Sequence, residues 1–159
     1  MAASTPSIRP YRTEDREAVI AILAGSDPWK RLGYGAAEWQ RLFDPLLRDR
    51  EGFTIEVDGI VVGLALLRPR FLLGEYVELL AIAPDAQGKG LGQLLLAHLE
   101  KLVFARANNL FVCVSDFNSV ARRFYRRHGY QEIGPIPNLL IAGSAEILMR
   151  KTAGPVRKS

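Results

Sequence analysis

Hydrophobic positions along the chain change period several times, and each change marks an element. Ile8 to Tyr11 reads as a short first strand held by Pro10. Thr13 can then cap a helix whose first turn carries Glu14 and Asp15, and Val19, Ile22 and Leu23 recur at helical spacing until Gly25. A turn-rich stretch, Ser26 to Gly35, separates this from a second helical pattern over roughly Ala36 to Arg50. There Trp39, Leu42, Phe43 and Leu46 share a side, and Pro45 predicts a break or kink.

From Gly52 the period becomes two. Phe53–Val57 and Ile60–Leu67 read as strands joined by the Asp58-Gly59 hairpin turn. Arg68-Pro69-Arg70 and Gly74 then predict a loop before a strand over Glu75–Ala83. A helix follows from Leu91 to about Ala107, with Leu91, Leu94, Leu95, Leu99, Leu102 and Val103 repeating. Leu110–Val114 is a continuous apolar run of the kind a central strand needs. Asn118 can cap another helix whose inner side shows Ala121, Phe124 and Tyr125, and Gly129 stops it. Tyr130–Ile133 predicts a short strand, Gly134–Gly143 a loop, and Ala145–Arg150 a last strand.

The order is β-α-α-β-β-β-α-β-α-β-β, an α/β (α+β) fold with a mixed sheet of about seven strands and helices on both faces. The 159 residues suit one domain, with 1–7 and 152–159 expected as flexible tails. At 48% hydrophobic and 24% charged, the composition is that of an ordinary soluble domain. No apolar run is long enough for a membrane span, and the first residues lack the charged and apolar regions of a signal peptide. The single cysteine, Cys113, excludes an internal disulfide and suits the cytoplasm. A net charge of +4 is compatible with nucleic acid or with a polyanionic ligand. The cluster Arg122-Arg123…Arg126-Arg127 lacks interleaved aromatics on a basic strand face, which argues against nucleic acid.

The chemistry concentrates between Val77 and Gly92. An apolar strand stops at Pro84, turns through Gly88, Gly90 and Gly92, and enters a helix near Leu91. Glycines admit close backbone approach, and the first N–H groups of a helix are unpaired and lie at the positive end of its dipole. The product is an anion site. A Walker loop would need glycine at Ala83 and a hydroxyl residue at Gly90, so it fails twice. A dinucleotide fingerprint would need the third glycine one place later than Gly92.

What the stretch resembles is motif A of the GNAT (GCN5-related) N-acetyltransferases, through Ile82, Pro84, Gln87, Gly88, Gly90 and Gly92. Asn118, Ala121, Phe124, Tyr125, Gly129 and Tyr130 are similar to motif B of the same family. The resemblance runs from Ile8 to Arg150 and implies acetyl transfer from acetyl-coenzyme A to a primary amine of a small molecule, peptide or protein. It implies that Gln87, Gly88, Lys89, Gly90, Leu91, Gly92 and Gln93 hold the pyrophosphate, and that the backbone at Ile82 and Ala83 meets the acetyl oxygen. Asn118 would contact the pantetheine arm, and Tyr125 would protonate the leaving thiolate. No metal is implied. A non-catalytic acyl-coenzyme A sensor or interaction module is the alternative, but it would not need Tyr125.

Arg122 and Arg126, one turn apart, can meet a 3′-phosphate or form a solvated basic face. Glu78 lies four positions before Ile82, hence on the same strand face as the acetyl contact that the resemblance implies. It matches the glutamate that histone-type relatives use as general base. Glu75 is the alternative, and a surface ion pair with an arginine is the competing reading for either. Ribosomal N-terminal acetyltransferases carry a glutamate where this chain has Cys113, which reads as packing. His98 and His128 look structural. For the acceptor, the fold points to Asp27, Trp29, Tyr34 and the Pro135–Gly143 loop. Pro28-Trp29 as an apolar anchor between helices is the rival reading, and the last loop suits a substrate lid or a homodimer contact.

Overall fold

The computed structural model describes residues 3–159; Met1 and Ala2, which begin the expected N-terminal tail, lie outside them. Its elements follow the expected order: β1 (Ser7–Pro10), α1 (Arg16–Ala24), α2 (Ala36–Leu47), β2 (Glu51–Val57), β3 (Ile60–Phe71), β4 (Gly74–Ile82), α3 (Leu91–Phe104), β5 (Asn109–Ser115), α4 (Ser119–Arg127), β6 (Gln131–Pro137) and β7 (Ala145–Thr152). The seven strands form one sheet in the order β1-β2-β3-β4-β5-β7-β6. All neighbours are antiparallel except β4 and β5.

Alternation along the central strands builds two cores. Leu64, Leu66, Leu79 and Ala81 pack with Val19, Leu23, Trp39 and Phe43 under α1 and α2. Ala65, Leu67, Val77, Leu110, Val112 and Val114 pack on the other face with Leu95, Leu99 and Val103 of α3 and with Tyr125 of α4. Val77 and Leu79 would share a face in a regular strand. They do not, because Leu67 pairs with Val77 while Leu66 pairs with Leu79, leaving Glu78 as an inserted, unpaired residue.

Local departures from the sequence pattern each have a cause. Thr13 does not cap α1; residues Thr13–Asp15 form a single 3₁₀ turn without a side-chain cap. The Asp15 carboxylate instead accepts from the Arg12 N–H at 2.8 Å and from Arg9 at 2.7 and 2.8 Å. Pro45 stands in the last turn of α2, so the helix ends at Leu47 without a mid-helix kink. The Arg68–Arg70 stretch extends β3, its ladder to β4 irregular around Pro69, and Phe71 stacks on Tyr76 with centroids 4.9 Å apart. Gly134 to Pro137 likewise extend β6, an edge strand, where Pro135 and Pro137 leave no ladder position unmet. At the other end, Ala153 N–H donates to the Asn108 carbonyl at 2.8 Å, and Asn108 donates to Pro155 O at 3.0 Å.

Candidate active site

The parallel pair at the sheet centre is short. β4 and β5 are bonded only from Glu75, Tyr76 and Val77 to Leu110, Phe111 and Val112. Past that point residues 78–82 and 113–115 diverge, and the opening leads to the loop between β4 and α3. One short 3₁₀ turn, Pro84–Ala86, follows Ile82 and gives way to the glycines. Gly88 and Gly90 both take φ of +78°, the left-handed region that glycine enters without penalty. Nothing lies within 4 Å of where a Cβ would stand on either, so open space surrounds them. The Gln87 side-chain amide donates to the Ile82 carbonyl at 3.1 Å, clasping the loop to the strand end.

Gly90 is the N-cap of α3, and the first bond of the helix runs from Leu94 N–H to Gly90 O at 3.2 Å. Among the described residues no protein group accepts from the N–H groups of Gln87 through Gln93. Leu91 is buried and fixes the helix start, while Gln87, Lys89 and Gln93 are exposed around it. Gly92 faces α4: a Cβ there would stand 3.7 Å from Phe124 and 3.8 Å from Ile82. The seven residues therefore present a run of free donors at a helix N-terminus, the form an anionic diphosphate fits.

On α4, the Asn118 Oδ1 accepts from the Ala121 N–H at 3.1 Å, as its capping role requires. Tyr125 is buried against Phe124 and Tyr130, with ring centroids 5.1 and 5.3 Å away. Burial pushes its phenol well above the usual tyrosine value, so it holds its proton. Its hydroxyl has no hydrogen-bond partner among the described residues, yet it is not one of the fully enclosed unpartnered atoms. The hydroxyl is thus not fully enclosed, although the side chain as a whole is buried. Arg122 is bonded to Glu132 at 3.0 and 3.3 Å and to the Asp116 carbonyl at 3.2 Å, and Arg126 joins Glu132 at 2.6 Å. Both guanidinium groups thus already have an anionic partner.

Glu78 is placed differently from the sequence expectation. The bulge at this residue breaks the four-position parity with Ile82, and the carboxylate is held by the Arg50 guanidinium. Glu75 is buried and bonded by Arg106 through both carboxylate oxygens at 2.7 Å. In the loop before α2, Trp29 and Tyr34 pack on Trp39 at 6.0 and 5.8 Å, while Asp27 is exposed. The aromatic pair anchors the helix connection, and Arg31 of that loop lies over the Phe117 ring at 4.2 Å. This cation–π bridge, from the α1–α2 loop to the residue before Asn118, had no local signal in the sequence.

A second group of polar side chains lies on the β5 face away from α3. Leu110, Val112 and Val114 point into the α3 core, so Cys113 and Ser115 point to the opposite face. Tyr76 lies near Cys113 there, and burial raises both their pKa values. The Ser115 hydroxyl donates to Glu146 of β7 at 2.7 Å. Among the described residues no group of three or more His, Cys, Asp or Glu side chains is arranged to hold a metal.

The model of the acetyltransferase (GNAT) family matches residues 16–130. The chain belongs to that family. An uncharacterized N-acetyltransferase of Methanocaldococcus jannaschii is 36% identical over 101 residues, covering 62% of this chain and 64% of the relative. The match thus spans a little under two thirds of the length of that curated relative. Among solved structures, a GCN5-related N-acetyltransferase from Rhodopseudomonas palustris superposes with TM-score 0.76 at 26% identity, over 96% of this chain and 98% of that one. The ribosomal-protein-S18-alanine N-acetyltransferase of Escherichia coli gives 0.77 at 21%, over 98% and 100%. The PaiA N-acetyltransferase of Thermoplasma acidophilum, in complex with coenzyme A, gives 0.75 at 21%, over 93% and 99%. Similarity at the level of these last two concerns the fold.

Proposed function

We propose that this chain is an acetyl-coenzyme A-dependent N-acetyltransferase that moves the acetyl group directly to a primary amine of a small molecule, peptide or protein. The observation that carries this reading is the run of unpartnered N–H groups from Gln87 to Gln93, opening beside the divergence of β4 and β5. Acetyl-coenzyme A supplies the activated acyl group. Gly88 and Gly90 let the backbone approach its diphosphate, and Gln87 keeps that loop folded back on Ile82. Asn118 holds the start of α4, which positions Tyr125. The protonated, unpartnered phenol of Tyr125 can then donate to the departing thiolate, a contribution of the order of 10²–10⁴ in rate for general acids.

Arg122 and Arg126 would reach a 3′-phosphate only by sharing Glu132. Asp27, Trp29 and Tyr34 remain the proposed acceptor side, with the two rings acting through the position of Trp39. Cytoplasmic action agrees with a lone cysteine, and no helix among the described residues is long and apolar enough to cross a membrane. The test is titration calorimetry with coenzyme A and acetyl-coenzyme A, followed by thiol release on a panel of peptide amino termini, lysine, polyamines and aminoglycosides. Binding with thiol release on any amine supports the reading. Binding without release on any of them points to an acyl-coenzyme A-binding module, and no binding overturns both.

A further inference from the structure

Glu146 is a charged side chain in an unusual place. It lies on β7 opposite Ser115 of β5 and is only 7% exposed. Ser115 donates to Oε2, whereas Oε1 has no donor among the described residues. Paired with Ser115, Glu146 shares the sheet face of Ser115 and Cys113, and its Oε1 is not fully enclosed. Ser115 stands three residues beyond Val112, the last residue of β5 bonded to β4, and so on the lip of the gap between those strands.

The two sides of that gap are chemically distinct. Tyr125 belongs to the core under α3 and α4, while Glu146 sits on the opposite face. Direct transfer needs such an arrangement: the amine loses its proton on the side of attack, and the thiolate gains one on the side of departure. Glu78 is less suited to the first role, since the Arg50 guanidinium occupies its carboxylate. The groups facing Glu146 are Ser115 and Cys113 of β5, Tyr76 of β4, and Asp116 just beyond β5. None is a cation. Resting on the acetyltransferase reading above, we propose that Glu146 Oε1 receives the acceptor ammonium and takes its proton, so that the acceptor enters from the face opposite α3 and α4.

The balance is simple. Two N–H bonds of the ammonium break in turn. The first proton passes to Oε1, and the freed lone pair forms the bond to the thioester carbon as the C–S bond breaks and the thiolate takes the Tyr125 proton. The nitrogen then loses its second proton, which restores Tyr125 through solvent and leaves the neutral amide, while Glu146 gives its proton to solvent. Burial and the nearby Asp116 charge hold the Glu146 carboxyl above the ordinary glutamate range, which strengthens it as a base.

Two measurements test this with the full chain. In the first, carboxylate ¹³C shifts of the coenzyme A-loaded protein are followed as n-butylammonium is added, with Glu146→Gln assigning the Glu146 signal. The Glu146 signal should move and its pKa should fall; a signal indifferent to the cation overturns the proposal. In the second, acetyl transfer to n-butylamine and triglycine is followed against pH. Glu146→Gln should lower kcat/KM by about 100-fold or more and abolish the acidic limb of the profile, with coenzyme A affinity unchanged. Glu78→Gln should keep that limb, and a limb that survives in Glu146→Gln and vanishes in Glu78→Gln overturns the assignment. A merely structural Glu146 would leave the limb in place, because glutamine still accepts from Ser115. If wild type turns over neither amine, the cation titration alone decides. Loss of coenzyme A binding by wild type would instead strike at the acetyltransferase reading.

Discussion

Tyr125 and Tyr130 pack edge to face, their centroids 5.3 Å apart and their planes 74° from parallel, yet their hydroxyls have opposite fates. Tyr130 donates to Glu100 at 3.1 Å, and Lys151 holds the other oxygen of that carboxylate at 2.9 Å. The hydroxyl of Tyr125 is bonded to nothing among the described residues. A buried phenol without a partner adds little to stability that phenylalanine would lack. Tyr125→Phe should therefore leave thermal unfolding and coenzyme A affinity nearly unchanged while lowering kcat by 10²-fold or more. Tyr130→Phe should do the reverse, costing about 1 kcal/mol through the Glu100 contact with kcat retained. Unfolding curves beside thiol-release rates for the two variants check the pair. Equal kcat in Tyr125→Phe and wild type would remove this residue as the acid.

Gly90 should tolerate no acidic side chain. Its φ of +78° costs a non-glycine residue roughly 1 kcal/mol, and its surroundings are open, so the fold should survive. The coenzyme site should not survive, because a carboxylate would sit among the free N–H groups that the diphosphate needs. Calorimetry with coenzyme A should show Gly90→Asp losing binding by 100-fold or more, with Gly90→Ala intermediate. Equal affinities in all three would break the link between this loop and the ligand.

Gly63 supports the same site from beneath. A Cβ there would come within 2.6 Å of Ile82 Cδ1, 2.7 Å of Ile55 Cγ2 and 2.9 Å of the Ala81 carbonyl. The two side-chain ends can shift, but the carbonyl belongs to the ladder. Gly63→Ala should cost about 1–3 kcal/mol, a fall of roughly 2–4 °C in Tm per kcal/mol for a chain of this size. It should also raise KM for acetyl-coenzyme A, since Ile82 must move where β4 opens. A variant with wild-type Tm would show that the strand end relaxes freely.

What could be read from the sequence was whatever is local. The Asp58-Gly59 turn, the Asn118 cap and the glycine loop depend on neighbours within four residues, and all three stand where the pattern put them. What escaped depends on distant pairing. Strict alternation puts Glu78 on the face of Ile82, and only the register against β3 reveals the extra residue. Glu146 reads as one polar position in a short strand until β5 brings Ser115 against it, 31 positions away in the chain. Arg68 to Phe71 have the composition of a loop, and pairing of Arg68 with Tyr76 and of Phe71 with Gly74 makes them strand. Capping failed at Thr13 for a related reason: the Asp15 carboxylate answers to Arg9 of the neighbouring strand as well as to its own turn.

That Arg9–Asp15 contact gives the chain an acid-sensitive point at the β1 edge of the sheet, away from the β4–β5 opening. Asp15 is 6% exposed and is held by both terminal nitrogens of Arg9, which also pairs with Glu56. Bonding to Arg9 first, and to the Arg12 N–H, holds the Asp15 carboxyl below the usual aspartate range despite its burial. With the folded pKa depressed, the unfolded chain binds the proton first as pH falls. The full contribution is present above the ordinary aspartate pKa and drains away as pH drops toward the folded value. Asp15→Asn should cost about 2 kcal/mol near neutrality, the range for a charge-assisted bond to a half-open arginine. Its stability should then depend less on pH than wild type below pH ~4. Urea unfolding midpoints of both proteins across the acid range test this; parallel curves would show that the proton uptake lies elsewhere.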